Sequence, residues 1–198
     1  MVKVLAVYNV KGGVGKTSTA VNLAYLAARD GIPTLLWDLD PQGSASLMLD
    51  AQPRARGGLR SLLRTGRGLE SAVCDTSYEG LSVIPAEFAD RKVEATLNGE
   101  RGARRRITRM LRPLEERFEL VVLDCPPSVS IVSENILVAA DTLLVPLIPT
   151  TLSVIEQMSA HRAPVPAFAP RSGAAWCYEE LWAEVARRAK VRRSRRRA

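Results

Sequence analysis

Apolar residues in this chain fall into short runs, separated by longer stretches in which they recur every three or four positions. Residues 2–10 form the first run, nearly continuous and of the kind a buried strand carries. Residues 19–28 then repeat apolar positions at helical spacing and stop at Asp30-Gly31, where glycine suits a left-handed C-terminal cap. Ile32-Pro33 turns the chain into a second strand at 34–38. Further strands are predicted at 81–85, 120–124 and 142–146. Between them, residues 101–118 place Ile107, Met110, Leu111 and Leu114 on one helical face, with a bend expected at Pro113. Residues 130–139 predict another helix. The segment 52–76 says least, because Pro53, Gly57, Gly58, Gly66 and Gly68 punctuate only short pieces such as 59–63. This alternation of strand and helix excludes an all-β or disordered chain and predicts one α/β domain.

The most informative stretch follows the first strand: Lys11-Gly12-Gly13-Val14-Gly15-Lys16-Thr17-Ser18. A buried strand delivers the chain to glycines that carry no side chain to block an approaching phosphate. A helix predicted from about Lys16 then aims its free N–H groups and positive dipole end at the same anion. Lys16 is placed to reach the β- and γ-phosphates of a nucleoside triphosphate, and the Thr17 hydroxyl to ligate its Mg²⁺. The expected fold is therefore a P-loop NTPase: a mostly parallel central sheet flanked by helices on both faces.

Two more strand ends carry carboxylates. The 34–38 strand runs into Asp38-Leu39-Asp40-Pro41-Gln42-Gly43-Ser44, at the carboxyl end where open α/β sheets bind ligands. On the residues alone, these aspartates are either site residues or helix caps. The strand at 120–124 ends in Asp124-Cys125-Pro126-Pro127, an apolar strand closed by a carboxylate of the Walker B kind.

Taken together, Lys11 with the K-G-G-x-G-K-T loop, the D-x-D-P-Q-G segment and the D-C-P-P segment resemble the deviant Walker A ATPases of the ParA/MinD family, closest to its partition ATPases. The resemblance covers residues 1 to about 152. It implies that ATP and Mg²⁺ are bound and that two protomers sandwich two nucleotides. Lys11 would then reach across to the partner's nucleotide, rather than being a solvated loop lysine. Asp40 would orient the attacking water, Asp38 would support the Mg²⁺ network, and Asp124 would hold the metal. It also implies an ATP-dependent homodimer on non-specific DNA, a stimulating partner of ParB type or a cargo adaptor, and a plasmid, chromosome or carboxysome as cargo. Asn135 lies in a stretch resembling the family's segment after switch II.

After about residue 152 the chain departs from that pattern. Residues 150–153 run almost directly into 155–165, where the family would place another strand and helix, so the ATPase domain, expected over 1–186, looks shortened by a strand-helix unit near 153–155. Base recognition and the sheet edge are put in doubt by this change.

Composition refines the picture. The chain has 198 residues, 46% of them hydrophobic, a length suited to one domain with its own core. No apolar run reaches ~18 residues, and the start has no signal-peptide pattern, so a cytoplasmic and, by resemblance, nucleoid-associated location is expected. Cys74, Cys125 and Cys177 are odd in number and widely spaced, which predicts reduced, buried or half-buried thiols. The lone His161 is expected on the surface or in packing. The net charge of +7 is concentrated in residues 187–198, which hold eight cations and no acid. That tail is either a frayed basic end or a polyanion contact, and Arg101, Arg104, Arg105, Arg106, Arg109 and Arg112 form a second basic block or simply a solvated face. Two other readings remain at this level. One is a MinD-like membrane-associated regulator whose last helix presents Trp176, Leu181, Trp182 and Val185 to lipid; the other is a shortened nucleotide-binding interaction protein with little turnover.

Overall fold

A computed structural model describes residues 2–51, 69–86, 105–147, 155 and 157–191. The expected pieces at 59–63, the arginines 101 and 104, the junction at 148–154 and the tail from 192 onward lie outside these residues. In chain order the elements are β1 (Lys3–Val7), α1 (Lys16–Arg29), β2 (Thr34–Asp38), α2 (Ser44–Met48), β3 (Cys74–Asp75) and β4 (Leu81–Ile84). There follow α3 (Arg106–Leu111), β5 (Leu120–Asp124), α4 (Ile131–Ala139), β6 (Thr142–Leu144), α5 (Met158–His161), α6 (Val165–Phe168) and α7 (Gly173–Arg188).

The strands form one sheet in the order β3-β4-β2-β5-β1-β6, parallel throughout except for the short β3, which pairs antiparallel with β4. β2 and β5 are buried along their whole length, which is why their sequences do not alternate. Helices cover both faces. On one, Leu23 and Leu26 of α1 pack with Leu36, Val83, Val122 and, from α7, Trp182. On the other, Ile107, Met110 and Leu111 of α3 pack with Leu35, Trp37 and Val121. The bend expected at Pro113 is present as a 3₁₀ turn, Arg112–Leu114, because proline cannot continue the hydrogen-bonded ladder. Gly31 takes φ 81° after α1, as a left-handed cap requires.

α7 closes the sheet face carrying α1. Ser172 caps it by accepting from Ala175 N at 3.1 Å, and Trp182 Nε1 donates to Asp30 Oδ2 at 2.8 Å. Three sequence expectations change here. Trp182 and Val185 are buried in the core, so of the four residues offered as a lipid-facing side only Trp176 stands fully exposed and Leu181 half so. Cys177 is exposed rather than buried, because it lies on the rim of a cleft; Cys74 and Cys125 are buried free thiols, as expected. The helix also continues to Arg188, past the boundary expected at residue 186, and Glu184 pairs with both Arg187 and Arg188 one turn on. His161 stacks on Phe168, with ring centroids 4.3 Å apart.

One buried side chain ties the late helices to the first. Asn22, fully buried in α1, donates to Ser18 O at 2.7 Å and to Met158 Sδ at 3.2 Å, and accepts from Val165 N at 2.6 Å. Asn22→Ala strands the Val165 amide. It is expected to cost about 1–3 kcal/mol of stability, checked by urea unfolding; an unchanged midpoint would mean that water replaces the side chain.

Candidate nucleotide-binding site

The strand order assembles the site. β2, β5 and β1 are adjacent, and their register sets Asp38 beside Asp124 and Asp124 beside Val7. Both carboxylates thus end their strands next to the loop that leaves β1, at the carboxyl edge of the parallel strands.

In that loop Asn9 acts as a clamp. Its Oδ1 accepts from Lys11 N at 2.9 Å, and its Nδ2 donates to Pro146 O at 3.0 Å, tying the loop to the segment after β6. Gly13 and Gly15 have φ of 70° and 78°, where a side chain would be strained. Gly12 needs neither a left-handed backbone nor room inside the protein: a Cβ placed there, or on Gly13 or Gly15, meets no protein atom within 4 Å. The three glycines line space open to an outside group. α1 begins at Lys16 behind this cradle. Lys16 is 6% exposed; its Nζ donates to Lys11 O at 3.1 Å and makes no salt bridge with a described carboxylate. Lys11 is exposed and without an ion-pair partner among the described residues.

The three aspartates differ in what they hold. Asp38, fully buried, accepts from Asp40 N at 3.2 Å with one oxygen, and from Ser46 N at 2.9 Å and Ser46 Oγ at 2.6 Å with the other. Ser46 Oγ in turn accepts from Ala86 N at 2.8 Å. Asp38 therefore anchors the segment after β2 and binds an N–H in the first turn of α2, the capping behaviour that its sequence left open. Burial raises its pKa, with the Ser46 and Asp40 donors opposing and the Asp40 charge adding. Asp40 lies at the cleft and accepts from Gln42 N at 3.0 Å.

Asp124 is different. It is wholly buried, and neither carboxylate oxygen has a hydrogen-bond partner. Burial pushes its pKa well above the usual carboxylate range and the Asp38 charge adds to this; the Thr17 hydroxyl opposes without reaching good hydrogen-bond geometry, Asp40 adds again, and Lys16 opposes. An unpaired buried carboxylate costs free energy unless a cation or donor meets it. A divalent cation beside Thr17 fits this need. Among the described residues no group of three His, Cys, Asp or Glu side chains could hold a metal alone, so such an ion would draw its other ligands from phosphate and water, as Mg²⁺ commonly does.

From the glycine loop a cleft of about 840 Å³ runs past Asp40 and the end of β6 to the exposed side of α7, a size suited to a nucleotide. Thr17 and Ser18 line it too. Gly12 to Ser18 thus line one site with Asp40, while Asp38 and Asp124 end the adjacent strands and Lys11 is not among the residues that line the cleft. Asn135 is elsewhere: its Oδ1 accepts from Arg106 N at 2.9 Å and organises the start of α3. Asn9 and Ser46 escaped sequence reasoning; the only signal was a polar residue interrupting an apolar run, or a serine in the first turn of a predicted helix.

A family profile described as an AAA domain matches residues 2–160. The chain belongs to that family, among the ParA/MinD-like P-loop ATPases. It is 36% identical over 146 residues to the chromosome partitioning protein ParA of Myxococcus xanthus, covering 73% of this chain and 52% of that protein. In structure it resembles cobyrinic acid a,c-diamide synthase from Mycobacterium smegmatis with bound ATP analog and magnesium (TM-score 0.70, 30% identity, 85% of this chain and 68% of that one). It shares its fold with the septum site-determining protein MinD of Pyrococcus horikoshii complexed with Mg-ADP (TM-score 0.75, 17% identity, 96% and 98% covered). The chain spans about half the length of the curated relatives it matches.

Proposed function

We propose that this protein is a ParA-like ATPase that binds Mg²⁺-ATP in the cleft, dimerises on it and positions a cargo, whether plasmid, chromosome or protein assembly such as a carboxysome. The observation that carries the reading is the buried Asp124 carboxylate with both oxygens unpaired, beside Thr17 and an empty-sided glycine cradle. Gly12, Gly13, Val14, Gly15, Lys16, Thr17 and Ser18 surround the phosphates, Lys16 supplies their counter-charge, and Thr17 with Asp124 holds Mg²⁺. Bound there, Mg²⁺ neutralises charge that develops on the phosphoryl oxygens. Asp40 orients the attacking water, and Asp38 keeps Asp40 and α2 in place through the bonds described above. Turnover is weak and rises on contact with a ParB-type partner or cargo adaptor.

Dimerisation is supported by what surrounds the mouth of the site. Lys11 is exposed and has no ion-pair partner among the described residues, and Val10, next to it in the chain, and Val129, in the loop after β5, stand 52% and 82% exposed. Such a rim suits a second copy that receives Lys11 at its nucleotide. Lys11→Ala is expected to keep Mg²⁺-ATP affinity within about threefold and to lose the ATP-dependent dimer in light scattering; a dimer as strong as the parent's would remove the sandwich from this proposal.

The basic tail over 187–198 favours DNA over lipid as the surface on which the dimer works, because Trp182 and Val185 are spent in the core and cannot insert. The domain over 1–186, shortened by a strand-helix unit, is also part of the proposal; among the described residues β6 forms the sheet edge next to the loop strand, in keeping with such a loss. No helix among the described residues is long and apolar enough to cross a membrane.

A further inference from the structure

α2 and α5 end in the same way, and their ends meet. After α2, Asp50 takes φ 51° and Ala51 N donates back to Ser46 O at 2.9 Å; after α5, Arg162 takes φ 45° and Ala163 N donates to Met158 O at 3.4 Å. Each helix thus closes on a left-handed residue, a position filled mostly by glycine and sometimes by asparagine. Local rules favour neither side chain found there. A left-handed backbone is uncommon for arginine, and a carboxylate at the carboxyl end of a helix stands beside carbonyls that repel it. What the two residues share is each other: Arg162 Nη1 donates to Asp50 Oδ1 at 2.7 Å across 112 positions of sequence, with the side chains 55% and 68% exposed. An exposed pair contributes little to the stability of the fold, so stability does not account for two locally disfavoured residues. The helices they join do.

α2 and α5 pack together, and both border the cleft, through Ser44 and Met48 of α2 and Ser159 of α5. On the α5 side the chain is fixed to the phosphate-loop helix, since Met158 and Val165 both meet Asn22 of α1. On the α2 side it leads to Asp40. Asp40 O accepts from Gly43 N at 2.9 Å and Gly43 O from Leu47 N at 3.0 Å, one hydrogen-bonded run from Asp40 into α2. We propose that Asp50 and Arg162 are a positioning pair for hydrolysis: they clasp α2 to the unit formed by α1 and α5, and so hold Asp40 in place against the phosphate loop. The inference rests on the role proposed above for Asp40. Neither residue of the pair is among those that line the cleft, so both act through the helices and not on the nucleotide. Exposed ion pairs bias an equilibrium by up to about fivefold, which sets the size of the effect.

Glycine separates a positioning role from a merely structural one. Asp50→Gly and Arg162→Gly, each made in the full chain, remove the pair yet supply the residue that the left-handed position favours, so each unfolding midpoint should equal or exceed the parent's. The single-turnover rate of Mg²⁺-ATP hydrolysis should nevertheless fall about threefold to fivefold in both, while the Kd for Mg²⁺-ADP by calorimetry stays within about twofold. Exchanging the charges, with Asp50→Arg and Arg162→Asp together, should restore the rate to within about twofold of the parent's. Hydrogen exchange at the Gln42 and Ser46 amides, which bond to Asp40 and Asp38, should quicken about threefold to fivefold in Asp50→Gly with Mg²⁺-ADP bound and recover in the exchanged pair. An unchanged rate in both glycine variants, a midpoint that falls along with the rate, unchanged exchange at those amides, or an exchanged pair as slow as the single variants would each overturn the proposal. A parent chain that binds no Mg²⁺-ADP would instead remove the nucleotide reading, and one that does not hydrolyse ATP, or does so equally well as Asp40→Ala, would remove the role of Asp40; this inference falls with either.

Discussion

Lys16→Ala is expected to lose Mg²⁺-ATP and Mg²⁺-ADP binding by about 100-fold or more, with the fold intact. Lys16 is almost fully buried at the start of α1, and its one described hydrogen bond goes to the loop carbonyl of Lys11. Its charge is thus held in a desolvated place with no described carboxylate bridged to it, poised for an anion. Charge-assisted hydrogen bonds in such settings contribute about 1.5–3 kcal/mol, and truncating one partner of a desolvated pair costs about 2–5 kcal/mol, which sets the size of the loss. Calorimetry with Mg²⁺-ADP is the measurement, with the far-ultraviolet circular dichroism spectrum as the control for folding. Affinity within tenfold of the parent would show that the glycine cradle and helix terminus suffice alone, and the assignment of Lys16 would be withdrawn.

Asp124→Asn should separate two effects that usually travel together. Without ligand, the variant is expected to be more stable than the parent by about 1–2 kcal/mol, because the parent buries a carboxylate with no hydrogen-bond partner next to Asp38 and Asp40. For a domain of this size that is a rise of about 2–8 °C in Tm. The sign follows from the raised pKa of the folded state. Below the ordinary carboxylate pKa both folded and unfolded parent hold the proton, and the two proteins differ little; as pH rises toward the folded-state pKa the parent loses stability and the gap widens. With Mg²⁺-nucleotide present the order should reverse, since the Asn side chain supplies no charge to the metal. Calorimetric scans with and without Mg²⁺-ADP at two pH values make the comparison. A variant that is less stable without ligand, or that keeps the full Mg²⁺-dependent gain, would mean that Asp124 is paired in solution and is not the metal residue.

Much of the site was readable along the chain because its parts are local. A phosphate loop is a strand, a few glycines and a helix start within about a dozen residues, and each has a signature that does not depend on distant contacts. The strand-terminal carboxylates were equally visible, since a fully apolar run closed by Asp is a one-dimensional pattern. What that pattern left open was the division of labour. Asp38 and Asp124 look alike in the sequence, each ending a buried strand. In three dimensions Asp38 meets Ser46 and the Asp40 amide, whereas neither oxygen of Asp124 is met by a well-placed donor, the Thr17 hydroxyl standing near without good geometry. Only neighbours supplied by folding distinguish the loop anchor from the unpaired charge.

α7 shows the same limit from another side. Its sequence predicted an amphipathic C-terminal helix and offered Trp176, Leu181, Trp182 and Val185 as a lipid face, since helical spacing ranks residues by polarity but does not say what the apolar stripe will meet. Packing decided it. Trp182 and Val185 face α1 and the sheet, Cys177 and Leu181 turn to the cleft, and Trp176 faces solvent. Asn22 and Asn9 were at most polar interruptions of apolar runs in the sequence, because a lone asparagine acquires meaning only from partners that lie more than a hundred residues away: the Pro146 carbonyl, the Met158 sulfur and the Val165 amide. The sequence by itself determined the five parallel strands, the helices after the first and fifth of them, the phosphate loop and the family, because these are written in periodicity and in motifs of adjacent residues. The tertiary structure alone decided which aspartate is unpaired, which face of α7 is free and how far the cleft extends, because those depend on burial and on partners brought together across the sheet.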